Sequence, residues 1–127
     1  MKEFFLLIRN QVEGKAALSA RQQQDFLQAC EVYIKELREN GNLLAAQPLE
    51  KEGRIISGNP GAFQEGPYQE TSETMVGYYH ILAPGLDAAV AIAKRNPEFA
   101  FVQGARIEVR PVKMIEESTR FVYPKGS

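Results

Sequence analysis

Met75-Val76-Gly77-Tyr78-Tyr79-His80-Ile81-Leu82 is dense in β-branched and aromatic residues, so it reads as a central strand. It carries the only histidine of the chain. Upstream, Glu65-Gly66-Pro67-Tyr68-Gln69-Glu70 has turn chemistry: Gly66 permits backbone angles that other residues resist, and Pro67 fixes φ and withholds a donor. The expectation is a rigid acidic turn inside a loop that runs to Thr74 and opens into the histidine-bearing strand.

Working toward the N-terminus, Leu43 to Leu49 reads as a strand in which Pro48 marks the end or an edge, and Arg54 to Ser57 as a short strand returning beside it in a hairpin. Gly58-Asn59-Pro60-Gly61 breaks that run. Before it, Ser19 stands as a helix N-cap with Gln22 placed to complete a capping box. Phe26, Cys30, Tyr33, Ile34 and Leu37 then recur at helical spacing as one apolar stripe, and Asn40-Gly41 stops the helix. Phe4 to Ile8 is an unbroken apolar run, a strand that needs cover on both faces.

Toward the C-terminus, Leu86, Ala89, Val90 and Ala93 form a small-residue helical stripe that Asn96-Pro97 ends, and Glu98 to Gly104 is a connector. Ala105 to Val112 alternates, with Ala105, Ile107 and Val109 on one face and Arg106, Glu108 and Arg110 on the other. From Lys113 on, the chain reads as a short extra strand near Arg120 to Tyr123 or a loose tail.

This order fits a single α+β domain, a ferredoxin-like antiparallel sheet with two helices on one face. The helices cover one side of Phe4 to Ile8, and a second copy packed sheet to sheet covers the other most simply, so a homodimer is expected. At 127 residues the chain can bury a core without staples. A net charge of −1 gives no case for a nucleic-acid or membrane surface. One cysteine excludes an internal disulfide or a multi-cysteine metal site, and no residue pattern calls for a metal or cofactor. No apolar run approaches a membrane span, which points to a soluble, cytoplasmic protein.

Several of these residues together resemble the YCII-related family, in its branch named after an Asp-Gly-Pro-Phe motif. The resemblance rests on the opening strand, on Glu65-Gly66-Pro67-Tyr68 in place of the motif, on Gly77-Tyr78-Tyr79, on Leu86-Asp87 with Ala89 and Ala93, and on Ile107-Glu108-Val109-Arg110-Pro111-Val112. It implies a dimeric α/β barrel of ferredoxin-like subunits. Members that look enzymatic carry a histidine–aspartate pair near the first helix. No histidine stands there in this chain, so that assignment does not carry over.

The candidate catalytic residues are therefore His80, a general acid or base near neutral pH, and Glu65, an orienting carboxylate held by the Gly-Pro turn. By period-two alternation His80 shares a face with Val76, Tyr78 and Leu82. Arg9 and Arg110 are candidate clamps for a carboxylated ligand, and Tyr78 and Tyr68 candidate contacts for it. The structural alternative is ordinary for each: a hydrogen-bonded strand histidine, a carboxylate tying down its own turn, and arginines on a solvated or interface face. The expected function is either cofactor-independent acid/base chemistry, isomerisation or elimination, on a small carboxylated substrate, or non-catalytic ligand binding in the same cleft.

Overall fold

The computed structural model describes residues 1–11, 14–67 and 73–125. The elements run β1 (Lys2–Gln11), α1 (Ala20–Glu39), β2 (Leu43–Pro48), β3 (Arg54–Asn59), β4 (Ala62–Pro67), β5 (Glu73–Ala83), α2 (Leu86–Lys94), α3 (Glu98–Phe101), β6 (Arg106–Pro111), β7 (Ile115–Glu116) and β8 (Phe121–Val122). Four strands make one antiparallel sheet in the order β2-β5-β1-β6, the ferredoxin-like arrangement. The two long strands, β1 and β5, sit at its centre, and the shorter β2 and β6 close its edges.

Alternation along β1 sends Phe4, Leu6, Ile8 and Asn10 to one face, where all are buried, and Glu3, Phe5, Leu7 and Arg9 to the other. On the first face they meet Tyr33 and Leu37 from α1, Tyr79, Ile81 and Ala83 from β5, and Ala89, Ile92 and Ala93 from α2. Both main helices thus cover one side of the sheet. Each fully buried aliphatic side chain there stabilises the fold by about 1.5–3 kcal/mol before the entropy cost of ordering it.

The first helix begins where its sequence says it should. Ser19 Oγ accepts a hydrogen bond from Gln22 N at 3.1 Å, and Gln22 Oε1 accepts one from Ser19 N at 2.9 Å. Replacing Ser19 with Ala removes one half of that box and is expected to lower stability by about 1 kcal/mol, read as a fall in the urea midpoint at unchanged slope. Asn40 caps the other end, and Gly41 takes the left-handed φ of 76° that the exit requires.

Three expectations change. First, Leu43–Pro48 pairs with β5 rather than with Arg54–Ser57. The hairpin partner of β3 is β4, so the Gly58–Gly61 stretch reverses the chain instead of breaking it. Gly58 makes this possible: its φ is 103°, and a Cβ there would lie 2.4 Å from Ala62 O. Second, Glu65-Gly66-Pro67 lies in β4 and is not a rigid turn; Tyr68, Gln69 and Glu70 fall outside the described residues. Third, the connector after Asn96-Pro97 contains a helical turn, α3, because Asn96 Oδ1 accepts from Glu98 N at 2.9 Å and starts it. The C-terminal stretch forms a small hairpin, Ile115 opposite Val122.

Candidate functional site

The sheet presents two distinct surfaces, and the sequence-derived candidates His80, Tyr78, Arg9 and Arg110 collect on the one without helices. There Phe5 stands opposite His80 on one side and Arg110 on the other, Leu7 opposite Tyr78 and Glu108, and Arg9 opposite Arg106. The His80 ring stacks on Phe5 with centroids 4.6 Å apart, and Tyr78 packs against the same ring at 5.6 Å. His80 Nε2 lies 2.8 Å from Glu3 Oε1. A carboxylate only accepts, so this contact puts a proton on Nε2. Glu3 also faces Lys125, whose Nζ is 3.9 Å from its other oxygen.

The carboxylate beside His80 is thus Glu3, not Glu65. Glu65 stands on the β3–β4 hairpin, where its Oε1 accepts from Arg54 Nη1 at 3.2 Å in an exposed ion pair. The two arginines are brought close, but through a shared acid: Glu108 lies 3.4 Å from Arg9 Nε and 3.8 Å from Arg110 Nη1. Tyr68 lies outside the described residues.

Val76 does not share the face of His80. The register between β1 and β5 shifts after Ile8, so that Ile8 pairs with Gly77 and Arg9 with Met75, leaving Val76 as a bulge. The bulge turns Val76 toward the helices, where it packs on the core. Beside it, Gly77 lets the edge strand pass close: a Cβ there would stand 3.0 Å from Gln47 O and 3.1 Å from Pro48 Cα.

These two features shape the floor of a cavity of about 460 Å³ between α1 and the sheet. Its walls are mostly apolar, with Ile8, Phe26, Leu27, Ile34 and Val76 among them. One end is polar. Glu98, from the first turn of α3, is 5% exposed and holds its carboxylate there. Asn10 Nδ2 donates to Glu98 Oε2 at 3.1 Å, and Lys15 Nζ lies 3.5 Å from Oε1. The Lys15 ammonium also sits 5.2 Å above the Phe26 ring, a cation–π contact that links the polar end to the apolar wall.

Burial sets the protonation of the neutral acids along this cleft. It pushes the Cys30 thiol up to about 11, with Glu98 adding to the rise, so the thiol is a weak nucleophile near neutral pH. It also raises the Tyr79 hydroxyl well above the ordinary tyrosine range. Tyr33, the other aromatic of the helix stripe, is committed to the core: its hydroxyl donates to Ile92 O at 2.7 Å.

The residues that sequence reasoning missed are Asn10, Lys15 and Glu98. One of them left a signal: alternation from Phe4 through Ile8 places position 10 on the core face, and an asparagine there demands a polar partner.

A search of curated proteins gives no match. No helix among the described residues is long and apolar enough to cross a membrane. The family model for the YCII-related domain matches residues 4–116, from the opening strand through the last strand of the sheet and on to β7, and the chain belongs to that family.

Proposed function

We propose that this chain binds a small, apolar-bodied molecule in the cleft between α1 and the sheet, and that it works as a homodimer paired through the helix-free sheet face. The observation that carries the first part is the cavity itself: about 460 Å³, largely apolar, with a buried carboxylate and an ammonium at one end. That is the arrangement of a ligand site, with apolar walls supplying affinity and a few polar groups fixing orientation. Within the family, Glu65-Gly66-Pro67-Tyr68 supports the branch named after the Asp-Gly-Pro-Phe motif.

A second reading adds catalysis without a cofactor. It rests on Glu98, which is buried beside Lys15 and lines the cleft, a proton acceptor next to a cation that can stabilise developing negative charge. Isomerisation or elimination on a carboxylated substrate is the chemistry such a pair serves. His80 and Glu3 belong to the opposite face of the sheet. In the paired dimer they would lie between the two sheets, as an interface contact or as a second acid/base centre.

Cys30 reports on the cleft because it lines it. A rise from 9.0 to about 11 lowers the thiolate fraction roughly 100-fold at neutral pH, so alkylation by iodoacetamide is expected to be slower than that of a free thiol by about that factor. Single-ring aromatic compounds at millimolar concentration are expected to slow it further by filling the cavity. A panel in which none protects Cys30 would count against the cleft reading.

A further inference from the structure

Beside the cleft lies a second cavity of about 270 Å³, which shares Lys15 and Val76 with it. Its character is different. Lys15 and Lys51 line it, the Lys15 ammonium itself standing at Glu98 on the cleft side, and Asn10, Thr74, Gln11 and Gln23 add neutral polar side chains. Among its described lining residues there is no carboxylate. Asn10 is 2% exposed, and while its Nδ2 is spent on Glu98, its buried Oδ1 has no hydrogen-bond partner among the described residues. A buried acceptor left unpaired is costly, and the cost is recovered when a donor reaches it.

Taken together, these groups ask for an anion carrying a nearby hydrogen-bond donor, attached to an apolar body that enters the adjoining cleft. We infer that the two cavities form one site for a hydroxylated carboxylate. Its apolar body lies against Phe26, Ile34 and Val76, its carboxylate meets Lys51 and Lys15, and its hydroxyl donates to Asn10. Binding draws Lys15 between the ligand carboxylate and Glu98, so the ammonium serves both. This rests on the cleft reading above and adds the head group to it.

The test titrates the full, nitrogen-15-labelled chain with three probes and follows backbone amide shifts. The probes are 3-phenylpropan-1-ol, 3-phenylpropanoate and 3-phenyllactate, which share a body and differ in head group. All three are expected to shift Gly77 and Ile34, in the cleft. Only the acids are expected also to shift Thr74. The hydroxy acid is expected to bind about tenfold more tightly than the plain acid, the worth of one hydrogen bond to a buried acceptor. Lys51→Met, a change at an exposed position, is expected to bring both acids closer to the alcohol without altering its affinity. Equal affinity of the two acids would overturn the assignment of the hydroxyl. If the alcohol binds as tightly as both acids, the head-group site falls while the cleft stands. No shift at Gly77 or Ile34 with any probe would remove the cleft reading and this inference with it.

Discussion

Folding stability is expected to fall steeply as the pH rises from about 9 toward 12. Three neutral acids packed around the helix–sheet contact cause this. Cys30 is raised from 9.0 to about 11, Tyr33 from 10.0 to about 12, and Tyr79 is raised as well, all chiefly by burial. The sign follows from linkage. Each group keeps its proton in the folded state at a pH where the unfolded chain has released it, so the unfolded state binds fewer protons and the free energy of unfolding declines with pH. The stabilisation is whole below the unfolded values, near 9 for the thiol and 10 for the tyrosines. It is lost progressively as the pH climbs toward the folded values.

Tyr33 is 4% exposed, so its shift of two units counts nearly in full, on the order of 2–3 kcal/mol. Cys30 is only partly buried and adds less. Urea midpoints followed by circular dichroism from pH 8 to 11.5 measure the slope. Tyr33→Phe separates the causes. At neutral pH it should cost about 1 kcal/mol, because Ile92 O loses the hydroxyl and keeps only the Arg95 N–H, yet its stability should decline less with pH than that of the wild type. Equal slopes in the two proteins would show that Tyr33 is not one of the responsible groups.

The same helix–sheet contact explains why the fold was legible in the sequence and the site was not. Fold information is local and periodic. Ser19 and Gln22 announce a helix start, Phe26 to Leu37 its buried face, and Ile107 against Arg106 and Glu108 the two sides of an edge strand, all of which the structure repeats. The departures occur where one residue breaks the period. Val76 as a bulge reverses a face assignment that strict alternation would keep. Gly58-Asn59-Pro60-Gly61 reads equally as a breaker or a hairpin turn, and only pairing with β4 decides it.

The site depends on separations that no local pattern encodes. Asn10 and Glu98 meet across 88 positions, and His80 reaches Glu3 across 77. A local reading offers His80 acidic residues that precede it in sequence, such as Glu65. The antiparallel register of β1 and β5 instead brings Glu3, next to the N-terminus, alongside it: Phe5 stands opposite His80, and Glu3 follows two residues away on the same face.

That register also frames the prediction with the largest effect on assembly. On the face opposite the helices, Phe5, Leu7, Tyr78 and Leu82 give an apolar centre that no helix among the described residues covers. Around it lie an ion chain, Arg9–Glu108–Arg110, and a polar chain, His80–Glu3–Lys125. An apolar centre with a charged rim is the anatomy of a protein interface, and a two-fold pairing sets each patch on its own copy. The wild-type chain is accordingly expected to be a dimer by light scattering at micromolar concentration. Leu7→Arg brings two further cations to the centre of that pairing, each beside a Glu108 that Arg9 and Arg110 already share. A cost of several kcal/mol weakens dimerisation about a thousandfold and halves the mass at the same concentration. Val32→Arg, on an exposed position of α1, introduces the same side chain away from the sheet and should leave the mass unchanged. Circular dichroism of Leu7→Arg should retain the mixed helix and strand signal, since Leu7 lies outside the core formed with the helices. A wild-type protein of monomeric mass, or a Leu7→Arg variant still dimeric, would show that this sheet face is not where two copies meet.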